Sequence, residues 1–391
     1  MEDKKSQVVI MGCEDYDSEL VYEKLRTAID LLGGIEKFVN KDEKILIKPN
    51  LLRGKNLALA VTTHPSVFEA VIRLLKEAGI NKLGYGDSPG FGSPTGVARD
   101  SGLTAVAEKY KISSKEFNHG ESVDFYLGNV TKRFEIAQGV LESDGIISIS
   151  KMKTHGLTRI TGAVKNQFGC VYGLNKGMSH ARYPDANSFS KMLVDLNRYL
   201  NSKLRLFIMD GIIAMEGNGP ASGEPVQMKV LLVSDDPVAL DATFARMINL
   251  DPKFVPTIVY GEEMGLGNAA EEKIELLGYP IEEFFNPDFE VVRMPIDETI
   301  TSKLASFNKI TKSLLIQKPV VDKDKCVGCG ICEQSCPVEK KAIKIVQRKR
   351  RKYPLYFYNR CIRCYCCQEM CPVGAISVKT PILGKLVIYK K

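Results

Sequence analysis

Eight of the chain's eleven cysteines fall in two runs near its C-terminal end, and the two runs share one spacing. Cys326, Cys329, Cys332 and Cys336 read C-x2-C-x2-C-x3-C and are followed by Pro337. Cys361, Cys364, Cys367 and Cys371 repeat that spacing and are followed by Pro372. Thiolates are soft metal ligands, and three of them this close must face one centre on a tightly curled chain. C-x2-C pairs also bind zinc, but zinc requires neither the third cysteine nor the trailing Cys-Pro, and both occur twice. The pattern points to two four-iron, four-sulfide clusters.

The duplication extends past the ligands. Ala342-Ile343-Lys344-Ile345 follows the first run and Ala375-Ile376-Ser377-Val378 the second. Each apolar pair is expected to close over a cluster and to open a short strand. Over about residues 320 to 380 the chain resembles the bacterial two-cluster ferredoxins. That resemblance implies that the last cysteine of each run ligates the other cluster. Cluster 1 then takes Cys326, Cys329, Cys332 and Cys371, and cluster 2 takes Cys361, Cys364, Cys367 and Cys336. Cys366 is left beside ligand Cys367, and Cys13 and Cys170 read as buried structural thiols.

At 391 residues the chain is far longer than such a module, and about 320 residues precede it, enough for a large core. No apolar run approaches the ~18 residues of a membrane span. No signal peptide or twin-arginine signal is visible, and cluster thiolates must stay reduced, so a cytoplasmic, anaerobic setting is expected. Charge is uneven: residues 321–391 carry 16 Lys/Arg and 5 Asp/Glu, whereas the chain as a whole is +7. The most basic run, Arg348-Lys349-Arg350-Arg351-Lys352, lies between the cluster motifs and precedes Tyr353, Tyr356, Phe357 and Tyr358. A solvated hairpin with its aromatics packed over the clusters is the first reading. Docking of an acidic redox partner, such as a ferredoxin or flavodoxin, is the second, and nucleic-acid binding is the least favoured.

Upstream, short apolar runs alternate with helical patterns. Strands are expected near 8–11, 44–48, 81–86, 145–150, 204–209 and 229–233, and helices over 17–32, 65–78, 95–110, 188–201 and 237–249. The alternation predicts an α/β domain, a mainly parallel sheet with helices on both faces, over 1–296. Residues 125–127 and 132–136 read as an inserted hairpin. A polar helix or linker over 297–320 then leads to a small α+β two-cluster domain over 321–391.

Polar groups follow most of these strands: Lys48-Pro49-Asn50, Asp87-Ser88, Lys151-Met152-Lys153-Thr154-His155, Asp210-Gly211 and Ser234-Asp235-Asp236. Ligands of open α/β sheets bind at the carboxyl ends of strands, so these groups are expected on one rim. Asp236 also suits a helix N-cap. Three segments stand out. The loop Gly86-Asp87-Ser88-Pro89-Gly90-Phe91-Gly92 offers amides that could cradle an anion, or it is an ordinary turn. From Ile146 to Pro184 there is no Asp or Glu, although Lys151, Lys153, Arg159, Lys165, Lys176, Arg182, His155 and His180 occur there. Unopposed positive charge suits a phosphate or carboxylate, and a basic surface loop is the alternative. Asp210 and Glu216 flank a short apolar run and are candidates for a metal site or an acid–base pair. Asp87, Lys151, Lys153, His155 and Lys165 are therefore candidates for an anion or cofactor site, and Lys153, His155, Asp210 and Glu216 for catalysis.

Lys48-Pro49-Asn50, Thr63-His64-Pro65, Gly86-Asp87-Ser88-Pro89-Gly90, Lys153-Thr154-His155, Gly162-Ala163-Val164-Lys165-Asn166, Asp210-Gly211 and Gly217-Asn218-Gly219-Pro220 together resemble the family called domain of unknown function 362, over about residues 8 to 290. The resemblance implies this domain plan, with a C-terminal two-cluster module, and no established reaction. The expected function is single-electron transfer through the clusters to an anionic small molecule or cofactor on the α/β rim. The alternative is a non-enzymatic carrier or redox sensor whose α/β domain docks partners.

Overall fold

The computed structural model describes residues 5–54, 57–173, 175–294, 315–348 and 351–383. The expected linker lies outside the described residues as far as 314, as do Lys349 and Arg350 of the basic run. The N-terminal part holds β1 (Ser6–Gly12), α1 (Ser18–Leu31), β2 (Ile45–Lys48), α2 (Pro65–Glu77), β3 (Leu83–Tyr85), α3 (Pro94–Asp100), α4 (Leu103–Lys109), β4 (Ser113–Ser114), β5 (Gly120–Asp124), β6 (Arg133–Ala137) and α5 (Gln138–Leu141). It continues through β7 (Gly145–His155), β8 (Arg159–Thr161), α6 (Ala163–Asn166), α7 (Asn175–Arg182), α8 (Ala186–Leu200), β9 (Leu204–Glu216), β10 (Glu224–Ser234), α9 (Pro237–Met247), α10 (Pro256–Glu263) and β11 (Ile274–Gly278).

Among the described residues, nine strands form one sheet in the order β11-β1-β10-β9-β7-β2-β3-β4, with β8 paired to β7. Period-two burial divides each strand between two cores. Val9, Ile45, Ile47, Ile147, Ile149, Leu206 and Ile208 face α1, α2, α3 and α4. Val8, Ile10, Leu46, Ile146, Phe207 and Met209 face α6, α8, α9 and α10. Helices thus cover both faces, and the pairings β1–β11, β2–β3, β2–β7, β3–β4 and β7–β9 are parallel.

Local chemistry sets the ends of these elements. Asp17 caps α1 by accepting from the amides of Glu19 and Leu20. Asp236 caps α9 by accepting from Val238 and Ala239. The helix expected over 95–110 is two helices, because Gly102 takes a left-handed φ of 79° between them. The expected hairpin forms, but its strands are 120–124 and 133–137.

One strand overturns part of the expected rim. β10 pairs antiparallel with both β1 and β9. Its C-terminal Ser234 therefore lies beside Val8, at the amino end of β1, and Asp236 accepts from Ser6 Oγ there. Ser234-Asp235-Asp236 belongs to the opposite edge of the sheet. A long connection is needed to cross back between parallel strands, and the seven residues from Gly217 to Gly223 allow only a hairpin.

Two further strands run on past the rim. β7 continues through Lys151, Lys153 and His155, which were expected just past the end of a strand over 145–150, because β8 returns as a hairpin against it. β9 continues to Glu216 by pairing with β10.

The C-terminal module comprises β12 (Lys318–Val321), α11 (Ile331–Gln334), β13 (Ile343–Arg348), β14 (Arg351–Tyr356), α12 (Cys366–Glu369) and β15 (Ile376–Lys379). β12 pairs with β15 and β13 with β14, both antiparallel. The β12–β15 pairing joins Lys318–Val321 to Ile376–Lys379. Ala342, Ile343, Ala375 and Ile376 are buried among its cysteines.

Candidate functional site

The cysteines define two small cavities. Cys326, Cys329, Cys332 and Cys371 line one, together with Val327, Gly328, Ile345 and Val373. Cys336, Cys361, Cys364 and Cys367 line the other, with Pro319, Val338 and Ile362. Each cavity thus draws three cysteines from one run and one from the other. Cys366 lines neither. The donor chemistry and the apolar walls fit a four-iron cluster. A second observation agrees: Arg363, between Cys361 and Cys364, is 7% exposed, and its Nε and Nη1 have no hydrogen-bond partner. A buried guanidinium without an anion is costly, and an anionic cluster beside it would supply the missing charge.

The module meets the α/β rim through the segment from Tyr365 to Val378, which borders the second cavity at Tyr365 and Cys367 and the first at Cys371 and Ile376. Tyr365 and Val378 pack into the core on the α8–α9 face of the sheet. Buried Gln368 donates through Nε2 to Asn218 O, Asn218 Oδ1 and Gly219 O at 2.9, 2.9 and 3.0 Å, and Asn218 Nδ2 donates to Ile376 O at 3.0 Å. Arg53 donates twice to Cys371 O, at 3.1 and 2.8 Å. Glu369 Oε1 lies 3.0 Å from His155 Nε2, within ion-pair range but off line for a hydrogen bond. Gly90 is hemmed by Met370 and Leu52, so a Cβ there would sit 2.9 Å from Met370 Cε. Arg53, Gln368 and Glu369 are docking residues that are not among the candidates singled out in the sequence. Glu369 had a signal, since it is the only acid within the second cysteine run, 361–371.

Among the candidate side chains, most of the cations have internal partners. Lys48 Nζ meets Asp87 Oδ1 at 2.8 Å, and Asp87 Oδ2 accepts from Leu51 N. Lys151 Nζ meets Asp210 Oδ2 at 2.8 Å and donates to Tyr16 Oη at 2.7 Å. Tyr16 Oη donates to Asp210 Oδ1 at 2.7 Å, and its ring stacks on His64 with centroids 3.7 Å apart. Lys153 Nζ donates to Asn50 Oδ1 and to Val61 O, both at 2.7 Å. His155 Nδ1 accepts from the amides of Leu157 and Thr158. That fixes the neutral tautomer with its proton on Nε2, toward Glu369.

Lys165 differs: no hydrogen bond or ion pair engages its ammonium among the described residues. It sits on α6, whose first amides, Ala163 N and Val164 N, donate to Asp241 at 2.6 and 3.1 Å. Gly162 permits that approach, since a Cβ would lie 2.0 Å from Asp241 Oδ1. Burial lowers the Lys165 pKa, while Glu369, Cys366 and Asp87 oppose the shift. Burial also lowers Lys153 well below its ordinary value, helped by Lys165 and Lys151. Lys176 falls to about 7 through burial, and His155 and His180 fall to about 4 for the same reason. Burial works against the Glu369 carboxylate, yet His155 and Lys165 hold its pKa at about 2. Lys153, His155 and Lys165 thus lie near enough to act electrostatically on one another, and Asp87 and the module's Glu369 act on Lys153 and Lys165.

Two expected features do not form. Asp210 and Glu216 are six residues apart on one strand, roughly 20 Å. Asp210 is buried with Lys151 and Tyr16, whereas Glu216 accepts from Glu290 N. They are not a pair. The 86–92 loop also spends its amides internally: Ser88 N donates to Gly169 O, and Gly90 N and Phe91 N donate to Leu52 O. Lys176 holds the carbonyls of Ser88 and Pro89 from outside. These bonds hold the loop as a turn and leave the amides of Ser88, Gly90 and Phe91 committed. Cys13 and Cys170 are buried, with thiol pKa values pushed up by burial to about 11 and about 12, as suits structural thiols.

A sheet domain with a two-cluster module docked on its rim defines the class, an iron–sulfur protein with electron-transfer capacity. Residues 325–375 match a 4Fe-4S dicluster domain. Residues 45–246 match the family described as domain of unknown function, DUF362, and the chain belongs to that family. The thylakoid-associated protein sll1697 of Synechocystis is 34% identical over 315 residues, which cover 80% of this chain and 97% of that one. The lactate racemase apoprotein of Thermoanaerobacterium thermosaccharolyticum overlaps 61% of this chain and 56% of its own, at 9% identity and a TM-score of 0.37. A Thermotoga maritima protein overlaps 58% and 57%, at 12% identity and a TM-score of 0.33. The chain spans just over half the length of each of these two structures. No described helix is long and apolar enough to cross a membrane.

Proposed function

We propose that this chain moves single electrons between a protein partner at its first cysteine cavity and an anionic small molecule in the Lys165 cleft. Cys326, Cys329, Cys332 and Cys371 would hold one [4Fe–4S] cluster, and Cys361, Cys364, Cys367 and Cys336 the other. Bound clusters supply one-electron redox chemistry. The observation that carries the reading is the seating of the 364–370 segment on the rim, with Glu369 3.0 Å from His155. Lys165 would anchor the anion, His155 would offer its Nε2 proton, and Lys153 and Lys176 would add positive field. Lys151 and Asp210 serve as rim structure. The division into 1–296, a linker over 297–320 and 321–391 belongs to the same reading.

The partner face lies at the other cavity. Val327 is 65% exposed and Val373 43%, and Cys329 is exposed. Exposed Lys323, Lys325, Arg351 and Lys352 surround them, although Asp324 lies 3.6 Å from Arg351. An apolar centre with a basic rim suits an acidic carrier such as a ferredoxin or flavodoxin. A reducing, oxygen-poor cytoplasm suits the thiolates.

The carrier or sensor alternative also has an observation in its favour, the internal pairing of Lys48, Lys151 and Lys153. The test is anaerobic titration of holo-protein with inorganic phosphate and with a simple carboxylate, read by cluster electron paramagnetic resonance. Phosphate or carboxylate should perturb one cluster signal, and Lys165→Ala should remove the effect. No perturbation at millimolar anion would leave the carrier reading.

A further inference from the structure

The two cysteine runs differ at one non-ligand position in a way that spacing does not explain. The residue two after the first cysteine takes a left-handed backbone in both, with φ of 68° at Gly328 and 65° at Arg363. Glycine fits that conformation freely, whereas a residue with a Cβ is strained there. The arginine is also buried at 7% exposure, with two donors unpaired, between Cys361 and Cys364. Its guanidinium lies 5.0 Å from the Tyr358 ring centroid. Tyr358 in turn stacks on Tyr356, whose hydroxyl is 3.7 Å from Cys367 Sγ. Strain and an uncompensated buried cation at one residue call for a function.

We propose that Arg363 raises the reduction potential of the rim-side cluster, so that this cluster is the first of the two to take an electron. The inference rests on the cluster ligands assigned above. Reduction adds one negative charge to a cluster. Cys364 and Cys367 are buried while Cys329 is exposed, and burial alone disfavours that added charge. Without a cation the rim-side cluster would be the harder to reduce. A guanidinium held in low dielectric reverses the order, because its attraction is weakly screened. Exposed Arg351 and Lys352, near the other cavity, act through solvent and count for less. The other charges around this half are Lys318 over Tyr358, Arg360 over Phe357, and Lys165 and Glu369, which oppose each other across the cleft. With both clusters bound, the net change would be one electron lost by the donor and one gained at the rim-side cluster, with no proton or bond change. The electron comes from an external one-electron donor.

The test is an anaerobic redox titration of holo-protein followed by electron paramagnetic resonance, with Cys361→Ser used to identify the rim-side signal. In the wild type the first signal to appear should be the one that Cys361→Ser alters. Arg363→Gly, which imports the first run's residue and relieves the backbone, should keep full iron. It should move the first electron to the other cluster with at least a tenfold change in distribution, equal to 59 mV for one electron. Arg363→Lys should keep the wild-type order. Prior reduction of the solvent-side cluster in the wild type, equal shifts of both clusters in Arg363→Gly, or the same change in Arg363→Lys would each overturn the proposal. So would loss of half the iron in Arg363→Gly, which would make Arg363 an assembly residue. Iron and sulfide analysis of the wild type separately checks the ligand assignment, and a protein lacking two clusters would end both readings.

Discussion

In the first cysteine run the two left-handed positions are Gly328 and Gly330; in the second they are Arg363 and Tyr365. The short helices show a similar offset. Glu333, one residue after Cys332, accepts from Ile345 N and stays within the module. Glu369, two residues after Cys367, reaches His155 across the interface. One position turns a side chain about 100° around a helix, enough to redirect a carboxylate from its own module to its neighbour. Gly328 must stay small, since a Cβ there would lie 2.7 Å from Lys352 O of the β13–β14 hairpin. Tyr365 instead inserts into the α/β core, where its burial offsets its backbone strain. Ligand spacing is dictated by the cube and is therefore duplicated. The residues between ligands are free of that demand, and they make one half of the module a solvent face and the other a docked face.

Cys336→Ser should have the largest effect on the contrast between the two halves. The wild type should hold about eight irons, and the variant about four. The surviving signal should be that of Cys326, Cys329, Cys332 and Cys371, although Cys336 adjoins them in sequence. Loss of the neighbouring cluster instead would exchange the two halves.

The docked face should respond to pH, and the open face should not. His155 and His180 are lowered by burial from the ordinary 6.5 to about 4, so the unfolded chain binds protons first. Their contribution is complete above about pH 6.5 and declines as pH falls toward 4, by about 1.4 kcal/mol per pH unit for each histidine. Denaturant unfolding between pH 7 and 5 should show that decline, and a His155→Gln, His180→Gln double variant should flatten it.

Arg53→Ala removes both donors to Cys371 O and should cost about 1.5–3 kcal/mol. Limited proteolysis should then release the module more readily, with iron content unchanged. An unchanged digestion rate would show that Gln368 and Tyr365 alone hold the interface.

The smallest effect belongs to the open face. Arg351→Ala with Lys352→Ala should slow reduction by an acidic donor a few-fold and flatten its salt dependence, because exposed charges steer association more than they stabilise. Stopped-flow traces at two ionic strengths read both quantities.

Much of this was legible in the residues. The cysteine runs carried their chemistry in their spacing, because a cube accepts few chain geometries. Asp17 and Asp236 announced helix starts by a local hydrogen bond that needs no tertiary partner. The acid-free stretch from Ile146 to Pro184 holds Lys153, His155 and Lys165, which lie near one another in the fold. Other features had no local signature. The direction of β10 depends on which strands it pairs with, and that choice sent Ser234-Asp235-Asp236 to the far edge. Lys151 and Lys165 look equivalent in one dimension. Only the packing of Asp210 and Tyr16 against the first left Lys165 as the uncommitted ammonium.

The metal chemistry, the alternation of strands and helices, and the capping of those helices were written in the residues alone, since each follows from interactions within a few residues. Tertiary structure decided which cysteine cavity faces solvent, which lysine stays unpaired, and which carboxylate crosses to the rim. Those outcomes depend on contacts between residues up to 318 positions apart, as Arg53 and Cys371 are, and no local pattern encodes a partner at that distance.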